Sequence, residues 1–500
     1  MKNKWTLWRA ICAAAIPALI GFGIAGCDSP TNNHYTPTVD RTALAAEITA
    51  AEALRGTTEK SADGSDIAAT AYWTTPEARG DFEAELDEVL DVYEDSDATQ
   101  AQVTEAAAAL EAANAAFYVK RERDTRLRRQ AFEQVSAGGA HTVAICEDGS
   151  LWAWGSNAYG QLGDGTQGAA NNRTSPVLIC DERDWVFVSA GTDHTMAICY
   201  DHSLWAWGRN QLGQLGDGTQ GAANNRASPE LICDERDWAY VSAGRAHTLA
   251  ILKDRSLWAW GLNGTGQLGD DTTVSRLRPV PVVVGGISAW TRVSAGSDHT
   301  LAICEDGSLW AWGWNANGRL GDGTISQRRI PVRIMGEASD LAYGWACVSA
   351  GWNHTMAIRE DGSLWAWGNN EAGQLGDGTQ GAADNRTSPV LICTEHNWDS
   401  VSAGRFHTMA IRYNDTLWAW GSNSSGQLGD STTTSRNSPV QISGTYTSVS
   451  AGSNSTPNAH TVAIRDDGSL WAWGLNTSGQ LGDGTTTHRI NPVPIGAAND

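Results

Sequence analysis

Positive charge is scarce in this sequence. Its 500 residues contain 35 Lys and Arg against 57 Asp and Glu, which gives a formal net charge of −22 at pH 7. Only one short segment, Lys120–Arg129, is clearly basic. A protein that binds a phosphate backbone presents a basic face to it. The composition therefore argues against DNA or RNA as a partner of this chain.

Long apolar runs are also nearly absent. The exception is Ala10–Ile24, which follows a start made positive by Lys2, Lys4 and Arg9. This run is too short for a comfortable membrane span. A charged start followed by a short apolar run is typical of an export signal.

The apolar run ends in Ile24-Ala25-Gly26-Cys27, which resembles a bacterial lipobox. The resemblance implies cleavage before Cys27 and a diacylglyceryl group on its sulfur, which would hold the chain at a membrane of the bacterial cell envelope, outside the cytoplasm. An ordinary signal peptide or an uncleaved anchor is the alternative. We predict a signal peptide at residues 1–26 and a solvated tether at 27–40, rich in Pro, Asn and Thr.

Residues 41–124 have the pattern of a small three-helix bundle, with apolar residues at helical spacing in each of three segments. Thr75 and Pro76 suit the start of the second helix, and Thr99 with Gln102 has the form of a capping box at the third. The segment also resembles the FIVAR-type modules of bacterial surface proteins, and the resemblance implies a stalk or a wall-associated role. A plain spacer is the alternative.

One phrase, Leu-Trp-Ala-Trp-Gly, recurs seven times in residues 131–500, about every 53 residues, as expected of a closed repeat array. Each copy also contains Val-Ser-Ala-Gly, two variable residues (in the last copy seven, Ser453–Ala459), His-Thr, a turn that is often Asp-Gly, and a Gly-rich loop. Asp-Gly fits the turn of a β-hairpin. His202, Arg255 and Asp415 replace the turn glycine in three copies, where we expect a different turn or strain of about 1 kcal/mol.

The two Trp of each phrase point to the same face of a strand, because side chains alternate along it. We interpret them as filling the space between neighbouring sheets, with an aromatic binding ladder as the weaker alternative. Seven sheets set radially bury both faces, and closing the ring protects the sheet edges.

The phrase HTVAICEDGSLWAWGSNAYGQLGDGT (His141–Thr166) resembles the repeat of the regulator of chromosome condensation family. The resemblance covers about residues 132–500 and implies a seven-bladed β-propeller. We therefore predict a mainly β protein, with a seven-bladed β-propeller at 131–500 preceded by a small three-helix bundle. One member of that family exchanges nucleotide on a small GTPase through a wedge-like insertion and basic tails. Here the insertions are small and the ring is acidic, so that role is not expected. Propeller-type β-lactamase inhibitors, which are exported bacterial rings that bind an enzyme, are more similar to this chain in their expected location outside the cytoplasm.

Two polar side chains recur once per repeat and are candidates for a catalytic or metal-binding role. They are the histidines before Thr (His141, His194, His247, His299, His354, His407, His460) and the loop aspartates (Asp164, Asp217, Asp270, Asp322, Asp377, Asp430, Asp483). One group per repeat does not converge three or four ligands on one ion, and the loops lack the alternating carboxylates of a calcium loop. We interpret each histidine as fixing its own blade and each aspartate as building a turn. No nucleophile motif or phosphate-binding loop occurs, so we predict no enzyme, cofactor or metal.

Cysteines recur at a matched spacing, and an exported chain can form disulfides. The hypothetical pairs are Cys146 with Cys180, Cys199 with Cys233, and Cys304 with Cys347, which leaves Cys393 over. Buried thiols are the alternative.

The copies diverge in two loops, after Val-Ser-Ala-Gly and after Trp-Gly, which antiparallel strands bring to the same rim. A constant scaffold with variable loops is typical of a recognition surface, and Trp, Tyr and Arg are frequent interface anchors. The candidate binding residues are Tyr159, Arg209, Trp314, Trp352, Arg405 and Phe406. The alternative to a recognition surface is that these residues vary without function, because they are exposed to solvent.

The sequence thus predicts a monomeric, lipid-anchored interaction protein whose rim binds a protein partner. A glycan- or cell-wall-binding adhesin that stacks envelope sugars on the rim aromatics is the second hypothesis. An enzyme with an unrecognised rim site is the third.

Overall fold

The computed structural model describes residues 131–180, 184–233, 237–285, 289–334, 343–453 and 459–496, together with scattered residues between 48 and 110. The chain divides into two compact units, Met1–Arg129 and Gln130–Asp500. The predicted signal peptide at 1–26 and tether at 27–40 lie outside the described residues. Within the described part of the chain, no helix is both long and apolar enough to cross a membrane.

The first unit is described only in part. β1 (Thr58–Lys60) pairs in parallel with β2 (Tyr72–Thr74), a sheet that the sequence did not predict. Helical residues lie at 48, 86, 90, 101–104, 106 and 108–110. The Thr99 amide donates to Gln102 Oε1 at 2.9 Å, and the Gln102 amide donates to Thr99 Oγ1 at 3.4 Å, so the capping box is confirmed. Only the segment from 101 to 110 is described as more than isolated helical residues, and most of 41–124 lies outside the described residues, so the three-helix bundle stays a prediction.

The second unit is built from the seven repeats, numbered here 1 to 7 in chain order. In repeat 1, the strands are β3 (Phe132–Ala137), β4 (His141–Cys146), β5 (Leu151–Gly155) and β6 (Arg173–Cys180). Each strand pairs antiparallel with the next, and the predicted hairpin between His-Thr and Leu-Trp-Ala-Trp-Gly joins β4 to β5.

The later repeats follow the same order of strands. β7 to β10 are Trp185–Ala190, His194–Cys199, Leu204–Gly208 and Arg226–Leu231. β11 to β14 are Trp238–Ala243, His247–Leu252, Leu257–Gly261 and Arg276–Pro281. β15 to β18 are Trp290–Ala295, His299–Cys304, Leu309–Gly313 and Arg328–Ile334. β19 to β22 are Trp345–Ala350, His354–Arg359, Leu364–Gly368 and Arg386–Leu391. β23 to β29 are Trp398–Ala403, His407–Arg412, Thr416–Gly421, Arg436–Ala451, His460–Arg465, Leu470–Gly474 and Arg489–Pro494. Short 3₁₀ helices occupy Ala169–Asn171, Ala222–Asn224, Ala316–Gly318 and Ala382–Asp384.

These strands form five four-stranded sheets and one seven-stranded sheet, so the described residues of the second unit contain six separate sheets where seven were expected. The difference lies in β26, which pairs with β25 up to Thr445 and with β27 from Tyr446 onward. It is both the last strand of repeat 6 and the first strand of repeat 7. The link between these repeats is short, and no loop separates the two parts of the strand. Gly444, with φ 109°, lets the backbone change direction within it.

A histidine on the second strand of each repeat binds the next repeat. His141 Nε2 lies 3.1 Å from Thr195 Oγ1, and the Thr195 hydroxyl donates to the Gln161 carbonyl at 2.8 Å. Because that hydroxyl proton is already used, the neutral histidine is the donor, from Nε2. The His–Thr distances are 3.0–3.4 Å in all seven repeats. The expectation that each histidine fixes its own blade is wrong, because its partner belongs to the neighbour.

The same contacts join the last repeat to the first, so the ring is closed. His460 Nε2 lies 3.0 Å from Thr142 Oγ1. The Ala137 amide donates to Ser450 Oγ at 3.0 Å, a bond that recurs between every pair of neighbouring repeats. The Trp154 indole donates to the Gln480 carbonyl at 3.0 Å, and this bond also recurs at every junction.

Tryptophans fill the junctions between repeats, as predicted. The second Trp of each phrase is fully buried: Trp154, Trp207, Trp260, Trp312, Trp367, Trp420 and Trp473. In five of the junctions an edge-on Trp from the first strand of the same repeat packs against it, as in Trp185 and Trp207 with ring centres 5.9 Å apart. These rings belong to the scaffold, and an aromatic ligand ladder is not formed by them.

The loop aspartates build turns, as interpreted. Asp164 Oδ1 accepts from the Asn157 amide group and the Thr166 amide at 3.0 Å each, and Asp164 Oδ2 accepts from Arg173 Nε at 2.9 Å. Burial raises the pKa of Asp164, but the hydrogen bonds from Thr166 and Arg173 outweigh it and hold the pKa below its usual value. An Arg completes this clasp in all seven repeats. The described residues contain no group of three or more His, Cys, Asp or Glu placed to hold a metal.

The three hairpin turns without glycine keep the left-handed backbone of the other copies. His202, Arg255 and Asp415 have φ of 63°, 69° and 60°, close to the 78° of Gly149. Of the two predicted outcomes, the turn therefore keeps its type, and the left-handed backbone at these three residues is expected to cost about 1 kcal/mol each.

The predicted disulfides are wrong. The structure forms no disulfide at the six cysteines Cys146, Cys199, Cys233, Cys304, Cys347 and Cys393. Cys146 and Cys180 end β4 and β6, and β5 lies between these strands. Two strand spacings are about 9.5 Å, beyond the roughly 7 Å that a disulfide spans. Cys233 follows the end of β10 at Leu231. Cys304 and Cys347 lie on β16 and β19, in different sheets.

Burial of seven neutral histidines makes the ring sensitive to mild acid. Burial lowers the pKa of His141, His194, His354 and His407 from 6.5 to about 3, and of His247 and His460 to about 4. The unfolded chain therefore binds more protons between pH 6.5 and these values. Stability is unaffected above pH 6.5 and falls as the pH drops through this window, by about 1.4 kcal/mol per histidine and pH unit.

We expect the urea midpoint to be constant from pH 7 to 8 and to fall steeply from pH 6 to 4. The loop aspartates lose their contribution to the free energy of unfolding only near or below their usual pKa. They therefore do not account for a loss of stability that begins at pH 6. His194→Gln should reduce the slope of the urea midpoint against pH by the share of one histidine. A midpoint unchanged from pH 7 to 4.5 would contradict the neutral histidine ring.

Candidate functional site

The two variable loops of each repeat meet at one end of its sheet. In repeat 2, the Arg209 amide donates to the Asp193 carbonyl at 2.9 Å. In repeat 4, the Trp314 amide donates to the Asp298 carbonyl at 2.8 Å. This end of the ring, formed by the loops after Val-Ser-Ala-Gly and after Trp-Gly, is called the loop face below. All six predicted binding residues lie in these loops.

Four of the six predicted residues come together on the loop face of repeats 4 to 6. The Arg405 guanidinium carbon lies 4.2 Å from the centre of the Trp352 ring and 5.0 Å from that of Phe406. Arg319 donates from Nη1 to the Trp352 carbonyl at 3.4 Å and lies 5.7 Å from the Trp314 ring centre. These five residues are called the aromatic patch.

The remaining two predicted residues form a separate pair in repeats 1 and 2. The Arg209 guanidinium lies 4.7 Å from the Tyr159 ring centre, and its Nη1 is 3.0 Å from Asp193 Oδ2. Burial raises the pKa of Asp193, and the Arg209 ion pair opposes that shift. The positive charge of Arg209 is therefore paired with the carboxylate of Asp193 within the ring.

The main chain beneath the aromatic patch is firmly held. The Trp352 amide donates to the Gly404 carbonyl of the next repeat at 3.1 Å, and the Trp352 carbonyl accepts from Ser297 Oγ at 2.6 Å. Trp314 remains 43% exposed, and Trp352, Arg405 and Phe406 are half-buried. The patch thus presents aromatic surface from a backbone that is fixed on both sides, as a binding surface requires.

Arg319 belongs to the site but was missed from the sequence. Six repeats have glutamine at this loop position: Gln161, Gln214, Gln267, Gln374, Gln427 and Gln480. Each glutamine Oε1 accepts a loop amide, as Gln374 does from Ala372 at 2.8 Å. Arginine has no acceptor, and Arg319 instead donates from Nε to the Ala316 carbonyl at 3.0 Å. The change from Gly-Gln-Leu-Gly-Asp to Gly-Arg-Leu-Gly-Asp is a sequence signal that could have revealed it.

The aromatic patch holds buried positive charge. Arg319 is only 5% exposed, and burial lowers its pKa to about 10 while Asp298 opposes the shift, so the guanidinium stays charged at neutral pH. Burial also lowers the pKa of Arg405. Asp298 itself pairs with Arg245 at 2.5 Å. Within the described residues Arg319 makes no ion pair, and its hydrogen bonds go to carbonyl groups.

Comparisons with known proteins agree on the repeat. The family model described as the RCC1-like domain matches residues 286–500. Two models of the regulator of chromosome condensation (RCC1) repeat match residues 148–198, 201–251 and 254–303, and residues 132–161, 185–214 and 238–267.

The chain is similar to the ultraviolet-B receptor UVR8 of Arabidopsis thaliana, with 32% identity over 73% of this chain and 81% of that protein. It is also similar to the mitochondrial RCC1 domain-containing protein RUG3 of the same plant, with 29% identity over 55% of this chain and 64% of that protein, slightly less than two thirds. The structure of Prp20p from Saccharomyces cerevisiae matches with a TM-score of 0.60 at 20% identity, over 73% of this chain and 87% of that one, and shows the same fold.

Proposed function

Because the chain belongs to the regulator of chromosome condensation (RCC1) repeat family, we propose that its ring is an interaction domain whose aromatic patch binds a protein partner. The observation that carries this proposal is the gathering of Trp314, Trp352, Arg405 and Phe406 in one place. Trp and Arg dominate the binding energy of many protein interfaces when they cluster in this way.

Relatives of this fold support protein binding in general. Yeast Prp20p binds Gsp1p and histones. Neither partner is proposed here, because a likeness at that identity extends to the fold, and this chain is acidic with a net charge of −22. We propose a ring of seven blades, with β26 shared between the sixth and seventh, that acts as a monomer without enzymatic activity.

The site of action proposed is the bacterial cell envelope, with the chain held at a membrane through a lipid on Cys27. The motif Ile24-Ala25-Gly26-Cys27 and the preceding apolar run support this. The FIVAR-like resemblance of residues 41–124 fits a spacer between anchor and ring. Metabolic labelling with an alkyne analogue of palmitate should label the chain, and Cys27→Ser should lose the label. Unchanged labelling of Cys27→Ser would exclude the anchor.

The protein-binding proposal predicts that the aromatic patch is essential for capture of the partner. The full chain should retain a partner from envelope extracts, which is then identified, purified and bound again in isolation. Replacement of both Trp314 and Trp352 by alanine should weaken that binding at least tenfold, because each removes an aromatic anchor. Tyr159→Ala, on the separate pair of repeats 1 and 2, is the matched control and should bind as the wild type does.

Equal partner binding by the double variant would exclude the patch as the site. A glycan array probed with the same proteins tests the second hypothesis. Sugar binding that is lost in the double variant, with no protein captured by the wild type, would replace the protein-binding proposal with the adhesin.

A further inference from the structure

The chemistry of the expected partner follows from the one loop that departs from the common design. The carbonyl of residue 319 keeps its shared role, since it accepts from the Trp367 indole at 2.9 Å and from Thr355 Oγ1 at 2.8 Å. Only the side chain differs, with a guanidinium in place of an amide. The scaffold therefore does not require Arg319, because six other loops perform the same structural role with glutamine.

Charge pairing on the loop face singles out the aromatic patch. Arg209 has Asp193 at 3.0 Å, and Arg245 has Asp298 at 2.5 Å. Arg319 has no carboxylate in ion-pair range among the described residues, although it is 5% exposed. A buried guanidinium is costly unless a carboxylate or a comparable acceptor compensates it. The patch thus keeps a positive charge that an incoming anion would neutralise.

The aromatic rings of the patch restrict which class of molecule can carry that anionic group. Arg405 already lies over Trp352 at 4.2 Å and near Phe406 at 5.0 Å, so one face of these rings is covered by a guanidinium. Sugar stacking needs an open ring face, whereas apolar side chains can pack against ring edges beside the arginines. Trp314 adds exposed apolar surface next to Arg319. A peptide with acidic and apolar side chains in alternation matches both features.

We infer that the aromatic patch is a carboxylate-binding site, with Arg319 as its central cation, for an acidic segment of a protein partner that also carries apolar side chains. The inference rests on the proposed protein-binding function and names the chemistry of the partner. A guanidinium can hold a carboxylate through two parallel hydrogen bonds, which a lysine or an amide cannot reproduce.

Arg319→Gln is a sharp test, because it restores the residue of the other six repeats. The probes are a fluorescein-labelled decapeptide of alternating Asp and Leu, the matched Asn and Leu decapeptide, and a labelled oligogalacturonate. Fluorescence anisotropy with the full chain should show binding of the Asp–Leu peptide that weakens as salt is raised. Arg319→Gln should weaken it at least tenfold, as expected for loss of a charged hydrogen bond. Arg209→Gln, whose charge is matched by Asp193, should bind within twofold of the wild type.

Thermal unfolding serves as the folding control, and Arg319→Gln should unfold at or above the wild-type temperature. Equal binding of the Asn–Leu peptide, unchanged binding by Arg319→Gln, or tighter binding of oligogalacturonate than of the Asp–Leu peptide would each overturn the inference. If a purified partner binds Arg319→Gln as tightly as the wild type but is lost in the Trp314 and Trp352 double variant, the carboxylate site fails while the protein-binding function stands.

Discussion

The hydrogen bond from a neutral histidine to the threonine of the next repeat is the contact on which the ring depends. It fixes the tautomer of each histidine, and the same threonine hydroxyl binds a loop carbonyl, so three elements meet at one buried point. It also explains the glycine of Val-Ser-Ala-Gly. A Cβ at Gly138 would lie 2.3 Å from His141 Cε1 and 2.6 Å from the Gly191 carbonyl oxygen, so no larger residue fits.

A scaffold so uniform confines function to its exceptions. The second Trp of each phrase and the Ser of Val-Ser-Ala-Gly make the same bonds across every junction, and each loop Asp makes the same bonds within its own repeat. The loop face is where side chains are free to differ. The exposed Trp314, the buried Arg319 and the half-buried Trp352 come together in adjacent repeats of the loop face, which supports the proposed binding there.

Sequence reasoning succeeded where the determinants are local. The Asp-Gly turns, the alternation of Trp152 and Trp154, and the loop role of Asp164 follow from neighbours a few residues away. It failed where partners lie in the next repeat or across a sheet. The histidine partner, the cysteine separations and the continuous strand β26 all depend on register and on link length. Arg319 was not predicted because it is a single departure inside a loop that is otherwise constant, Gly-Gln-Leu-Gly-Asp, and not in the two variable loops.

Closure of the ring by the same bonds at every junction is the central claim, and amide hydrogen exchange tests it most directly. Ala137 and Ser453 donate across the junction between the last and first repeats, to Ser450 Oγ and to the Gly138 carbonyl. Ala243 and Thr192 make the corresponding bonds inside the ring. Closure predicts that the Ala137 amide exchanges as slowly as that of Ala243, and the Ser453 amide as slowly as that of Thr192. Exchange orders of magnitude faster at Ala137 and Ser453 alone would show an open array and contradict the account.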